Sequence, residues 1–154
     1  MNLTANFSLH ELTKSETALR LNLDNTPGPV ETEYLKLLAE NVLQPIRDHF
    51  QKGVKVNSGF RSSETNQATG GAKSSDHVKG QAADIEIPGV ANADLAQWIM
   101  DNLDYTQLIL EFYTPGIPDS GWVHVSYDPE NLKKQELTAM KVAGKTQYVP
   151  GLVA

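Results

Sequence analysis

Apolar residues in this sequence recur with a period that changes several times, and each change predicts an element. Across residues 32–51, Leu35, Leu38, Val42, Ile46 and Phe50 return at three- and four-residue steps, with charged residues between them. That spacing predicts the longest helix of the chain. Pro45 interrupts it, lacking an N–H and crowding the preceding turn, so a kink is expected there. Gly53 is expected to end the helix. Upstream, FSLHEL sets Ser8 three residues before Glu11, the spacing of a capping box, and Ser15 opens a second short helix to about residue 20. Residues 22–29 collect Asn, Asp, Gly and two Pro, which is turn chemistry.

The period then shortens to two. Residues 54–60 and 82–87 alternate and predict strands. Residues 61–79 between them are rich in Ser, Thr, Gly and Asn, a loop long enough to be functional or flexible, broken by a short helix near 64–69. Asn92 is expected to cap a helix reaching about Leu103, with Leu95, Trp98 and Ile99 on its apolar side. Residues 106–112 and 122–127 flank a PGIPDSG turn and predict a hairpin. A last hairpin is expected from 137–142 and 146–149 over Gly144-Lys145. The fold class is therefore α+β, with N-terminal helices packed on a mostly antiparallel sheet. One domain is expected over residues 1–143, with 144–154 a C-terminal tail or terminal strand.

Composition narrows the partners. The 154 residues, 40% hydrophobic and 21% charged, suit one ordinary globular domain. A net charge of −6 opposes binding to a nucleic-acid backbone, and no apolar run is long enough to span a membrane. A monomer is the default. The N-terminus has neither a basic start nor an apolar stretch, so synthesis in the cytoplasm without a signal peptide is expected.

With four His and no Cys, a thiolate-held zinc is excluded. The stretches SSDHVKGQAADIEI and GWVHVSY instead offer His77, Asp84 and His124, which together read as a three-ligand zinc site with an open fourth position. Asp84 shares a strand face with Ala82, which leaves room beside a metal, while Ala83, Ile85 and Ile87 face the core. His124 shares its face with Trp122 and Ser126. Asp is disfavoured mid-strand, which argues against Asp84 being a bystander. His10 and His49 read as structural, and Trp98 and Trp122 read first as core, although Trp122 is on the ligand face and could line a cleft.

The run Ser75-x-His77-x-x-Gly80-x-Ala82-x-Asp84 resembles the SxHxxGxAxD motif of zinc D-Ala-D-Ala carboxypeptidases and L-alanyl-D-glutamate endopeptidases, cell-wall peptidases with a hedgehog-like fold. SGFRS around Arg61 is similar to that family's arginine segment, and WVH ending in His124 to the segment with its last zinc ligand. Together with FSLHEL, the motifs look like those of small phage and prophage members, in order over roughly residues 6–130.

The resemblance implies one Zn²⁺ held by His77, Asp84 and His124, polarising a scissile carbonyl and activating water. It implies Arg61 on a peptide carboxylate or developing oxyanion, and Ser75 on the substrate or steadying the loop of His77. Many relatives carry an acid three residues before the last histidine, where this chain has Gly121. Two carboxylates are available as general base instead. If residue 111 pairs opposite 124, Glu111 faces the same side as His124, and it interrupts the apolar run LILEF, so it is favoured. Asp119 is the alternative, in a turn where Asp is common anyway. The implied function is hydrolysis of an amide in peptidoglycan stem peptides, as a phage endolysin or virion-associated lysin. A holin, the phage particle or cell lysis would give access to the cell wall. The competing reading is a non-catalytic zinc-containing module that binds cell wall or protein.

Overall fold

The computed structural model describes residues 1–153. Six helices precede or interleave with six strands. The helices are α1 (Leu9–Thr13), α2 (Glu16–Leu21), α3 (Pro29–Leu38), α4 (Gln44–Phe50), α5 (Ser63–Ala68) and α6 (Asn92–Asn102). The strands are β1 (Lys55–Ser58), β2 (Ala82–Glu86), β3 (Gln107–Glu111), β4 (Trp122–Ser126), β5 (Gln135–Val142) and β6 (Lys145–Pro150). They form one sheet in the order β1-β2-β4-β3-β5-β6, antiparallel at every pairing except β3 with β5. This is the expected α+β class.

Local signals explain most boundaries. Ser8 and Glu11 close a reciprocal capping box on α1, and the Ser15 side chain caps α2. The long helix is divided: a π-helical turn, Ala39–Leu43, joins α3 to α4, and the Gln44 N–H reaches back five residues to the Ala39 carbonyl. This wider turn lies just before Pro45, which cannot donate and crowds the carbonyl four residues back. The helix ends at Gln51 in the left-handed region (φ 57), earlier than Gly53. Asn92 does not cap α6; Ala91 does, and the buried Asn92 amide instead donates to the carbonyls of Ser120 (2.9 Å) and Gly121 (3.2 Å). Its hydrogen bonds thus hold the chain entering β4.

The last hairpin turns at Ala143 and Gly144, both left-handed, one residue earlier than expected. Beyond β6, Thr138 Oγ1 donates to the Gly151 carbonyl and accepts from the Val153 N–H, so residues 151–153 lie on the sheet. Ala154, the end of the expected terminal segment, lies outside the described residues.

One sheet face, with Ala83, Ile85, Leu108, Leu110, Val123 and Val125, packs against Leu35, Leu38, Val42, Ile46, Leu95 and Ile99 in a single core. The other face carries Asp84, His124, Ile109, Glu111 and Trp122, as strand alternation requires. Among the described residues, no helix is long and apolar enough to cross a membrane.

Candidate metal centre

Asp84 and His124 are direct partners on the antiparallel strands β2 and β4, so their side chains rise side by side from the open face. His124 Nδ1 is 3.0 Å from Asp84 Oδ1, and His77 Nε2 is 3.4 Å from the same oxygen. Donors about 2.1 Å from a tetrahedral zinc stand about 3.4 Å apart, so the His77 spacing matches a tetrahedral edge and the His124 spacing is slightly shorter. One ligand atom from each of the three residues lies within 4.8 Å of the others.

His77 comes from the loop before β2 and is buried. Its Nδ1 is 2.8 Å from the Gly59 carbonyl. A carbonyl only accepts, so Nδ1 carries the proton and the Nε2 lone pair points toward Asp84. Two lone pairs at 3.4 Å repel unless a proton or a cation lies between them, and the same Asp84 oxygen also faces His124 Nδ1 at 3.0 Å. The donor set therefore fits a divalent ion of the zinc type. Without a metal, the same spacing favours protonated imidazoles: burial raises the Asp84 carboxyl, but hydrogen bonds from the His124 and His77 cations and their charges outweigh it and hold it well below the ordinary range. For His124, burial opposes the charged form, but Asp84, then Glu111 and Asp76, raise it. The surroundings are anionic, which favours a cation.

Backbone close approaches fix this cluster. A Cβ on Gly59 would meet the Leu12 carbonyl at 2.3 Å, and the Phe60 N–H donates to that same carbonyl at 2.7 Å. Gly80 has φ +77, and a Cβ there would sit 2.5 Å from the Glu31 carbonyl, so the turn into β2 is both left-handed and pressed on α3. The Ser75 hydroxyl accepts from the His77 N–H at 3.3 Å, steadying the ligand loop.

Around the cluster lies a cavity of about 470 Å³, which Arg61, Ser75, Glu111 and Trp122 also line. It is far larger than one ion needs and has room for a short peptide segment. The Arg61 N–H donates to the His77 carbonyl, its Nη1 donates to Thr69 at 3.3 Å, and its Nε is buried without a partner. Burial lowers its pKa, while the charges of Asp84 and Glu111 oppose that. A second hollow, about 630 Å³, lies on the other side of Arg61 and includes none of the three ligand residues.

Glu111 pairs with Trp122, and Ile109 with His124, so the register is two residues from a 111–124 pairing. A two-residue shift preserves the face, and Glu111 still faces the metal cluster's side. Trp122 Nε1 donates to Glu111 Oε2 at 2.7 Å, and its ring tilts against Phe112 at 5.4 Å. The indole N–H of Trp122 is thus committed to Glu111. Burial raises the Glu111 pKa, with a further rise from Asp84 and smaller opposing effects from His124, Trp122 and His77. Asp119 is exposed in the turn before β4 and does not line the cavity.

Gly121 has a structural reason. Its φ is +65, and a Cβ would meet the Glu111 carbonyl at 1.9 Å, so no acid fits at this position without moving β3. Sequence reasoning missed Asn25, whose amide donates to the Thr13 and Phe60 carbonyls while its Oδ1 accepts from the Ser62 N–H. That clip holds the segment bearing Arg61, and an Asn within turn chemistry gave no sign of it. His10 is exposed at the second hollow, His49 stacks on Trp98 at 4.4 Å, and Glu86 accepts from Asn57.

No curated protein matches the chain. A family model described as peptidase M15 matches residues 5–126, from before α1 through the end of β4. The match covers about four-fifths of the chain and contains His77, Asp84 and His124, and the chain belongs to the peptidase M15 family.

Proposed function

We propose that this chain hydrolyses an amide bond in peptidoglycan stem peptides, as a phage endolysin or virion-associated lysin that reaches the cell wall on lysis or with the particle. Membership of peptidase M15 supports the broader part of this, a zinc metallopeptidase acting on peptidoglycan-type material. The observation that carries the reading is the convergence of a His–Asp–His cluster, the half-buried Glu111 carboxylate and an arginine on one cavity. When bound, zinc supplies Lewis acidity toward a carbonyl and toward water.

The remaining work falls to the chain's own groups. Glu111 takes a proton from the attacking water and delivers it to the leaving amine, and burial, by raising its pKa, makes it a stronger base than an ordinary carboxylate. Trp122 fixes Oε2 of that carboxylate, leaving Oε1 free to receive the proton. Arg61 binds a peptide carboxylate or the oxygen that gains charge, with its unpartnered Nε as an available donor. Ser75 holds the ligand loop in register.

Purified Gram-negative peptidoglycan tests the proposal, with zinc-loaded protein compared against its chelator-treated form. Zinc-dependent loss of turbidity with release of peptide fragments is expected, and fragment masses name the bond. Intact sacculi that retain zinc-loaded protein would replace the proposal with the binding-module reading.

A further inference from the structure

The strands β5 and β6 lie beyond the matched residues 5–126, yet β6 contributes to the cavity wall: Tyr148 lines it together with the three ligand residues and Glu111. The register explains how. Glu111 pairs with Ala139 on β5, and Ala139 pairs with Tyr148 on β6, so the three side chains form one row on the open face. Ala139 between them offers only a methyl, leaving the aromatic ring free to lean across β5 toward Glu111. Tyr148 is nonetheless 52% exposed, a large aromatic surface with no core role. Burial and then the Glu111 charge raise its pKa, so the phenol stays protonated and able to donate.

We infer that Tyr148 is a substrate-contact residue that grips the stem peptide on the Glu111 side of the cavity, opposite Arg61, its hydroxyl donating to a carbonyl or carboxylate oxygen of the peptide. This rests on the peptidase reading. With strands about 4.8 Å apart, Tyr148 stands about 14 Å along the sheet from His124. The phenol reaches back over part of that span, which places the contact roughly two extended residues from the cleaved bond. The hairpin that carries Tyr148 therefore adds a subsite to the matched catalytic region.

The test measures binding of a soluble stem pentapeptide to zinc-loaded Glu111→Gln protein by calorimetry, with Tyr148→Phe and Tyr148→Ala added to it. KM and kcat are measured for the same two substitutions in the otherwise unaltered chain. Losing one hydrogen bond in Tyr148→Phe is expected to weaken binding about 3- to 10-fold, and Tyr148→Ala to weaken it further. KM should rise in step while kcat stays within about 3-fold, and zinc content should not change. A merely structural tyrosine would lower thermal stability without moving KM. Pentapeptide affinities within twofold of the parent for both variants overturn the inference while leaving hydrolysis intact. Absence of both hydrolysis and pentapeptide binding by the unaltered zinc-loaded chain overturns the peptidase reading together with it.

Discussion

Placing an aspartate at Gly121 restores the acid that many zinc peptidases of this type carry three residues before the last histidine, and the geometry says it will damage the enzyme. The ideal Cβ lies 1.9 Å from the Glu111 carbonyl, 2.7 Å from the Phe112 carbonyl carbon and 2.9 Å from its oxygen, all under the 3.0 Å that Cβ atoms keep. These are backbone atoms and cannot rotate away, so the end of β3 must retreat by roughly 1 Å. Left-handed backbone adds about 1–2 kcal/mol for any L side chain. With the overpacking cost of about 1–3 kcal/mol, Gly121→Asp should lose about 2–5 kcal/mol. For a chain of this size that lowers Tm by roughly 5–15 °C. Displacing Glu111 by that distance should cost on the order of 100-fold in kcat/KM at temperatures where the variant remains folded. Gly116→Ala is the control: it has φ +90 with nothing within 4 Å, so it isolates the backbone cost and should lose only about 1–2 kcal/mol without touching activity. Calorimetry and peptide release decide the matter. A Gly121→Asp protein with unaltered Tm and turnover refutes the steric account. Recovery of hydrolysis in Glu111→Gln/Gly121→Asp would move the general base to position 121.

Glu111→Gln should lower kcat by about 10²- to 10⁴-fold with zinc content unchanged, because the amide oxygen still accepts from Trp122; metal analysis and fragment release check it. Trp122→Phe removes a hydrogen bond that lowers the Glu111 pKa, so the acid limb of the kcat–pH profile should move to higher pH, and an unmoved limb would exclude Glu111 as the titrating base. Asp84→Asn should weaken zinc binding by more than about 100-fold, beyond the loss of a ligand's supporting hydrogen bond, measured by competition with a chromogenic chelator. In metal-free protein, Glu111 and His124 have folded pKa values above their ordinary 4.5 and 6.5. Their contributions to stability are complete below those values and lost as pH rises through the folded ones. Metal-free Tm should therefore decline from mildly acid to alkaline pH, while the stabilisation by added zinc, which requires neutral imidazoles, grows. Parallel Tm curves with and without zinc would contradict this.

Where local chemistry decided an element, the sequence was enough to read it. The Ser8–Glu11 capping box, the alternation of β2 and β4, and the short helix after Arg61 all rest on residues within a few positions of each other. Errors came where a distant partner decided. Asn92 has the chemistry of a cap, but the carbonyls of Ser120 and Gly121, 28 and 29 residues away, claimed its amide. The long amphipathic run gave the right face and the right proline, yet periodicity alone does not distinguish a kink from a π-helical turn.

The candidate metal cluster was legible for a related reason. Three candidate ligands on a loop and two adjacent strands need only strand parity and one left-handed glycine to converge, and both are written in the sequence. Parity also put Glu111 on the correct face although the assumed pairing was off by two residues, since a slip of two leaves every side chain where it was. Tyr148 had no such protection. Its place depends on β5 joining β3 in parallel, a pairing made without a tight turn, and on β6 then folding back. The hairpin of β5 and β6 was readable from its turn, but the parallel pairing leaves no spacing rule, and 23 positions of connection and strand separate His124 from Tyr148. The same contrast separates two kinds of residue in the cavity. Ligands must satisfy a fixed tetrahedral geometry, which confines them to recurrent short motifs. A residue that only grips substrate can arrive from any strand whose register points it inward, so it becomes visible only once the sheet is closed.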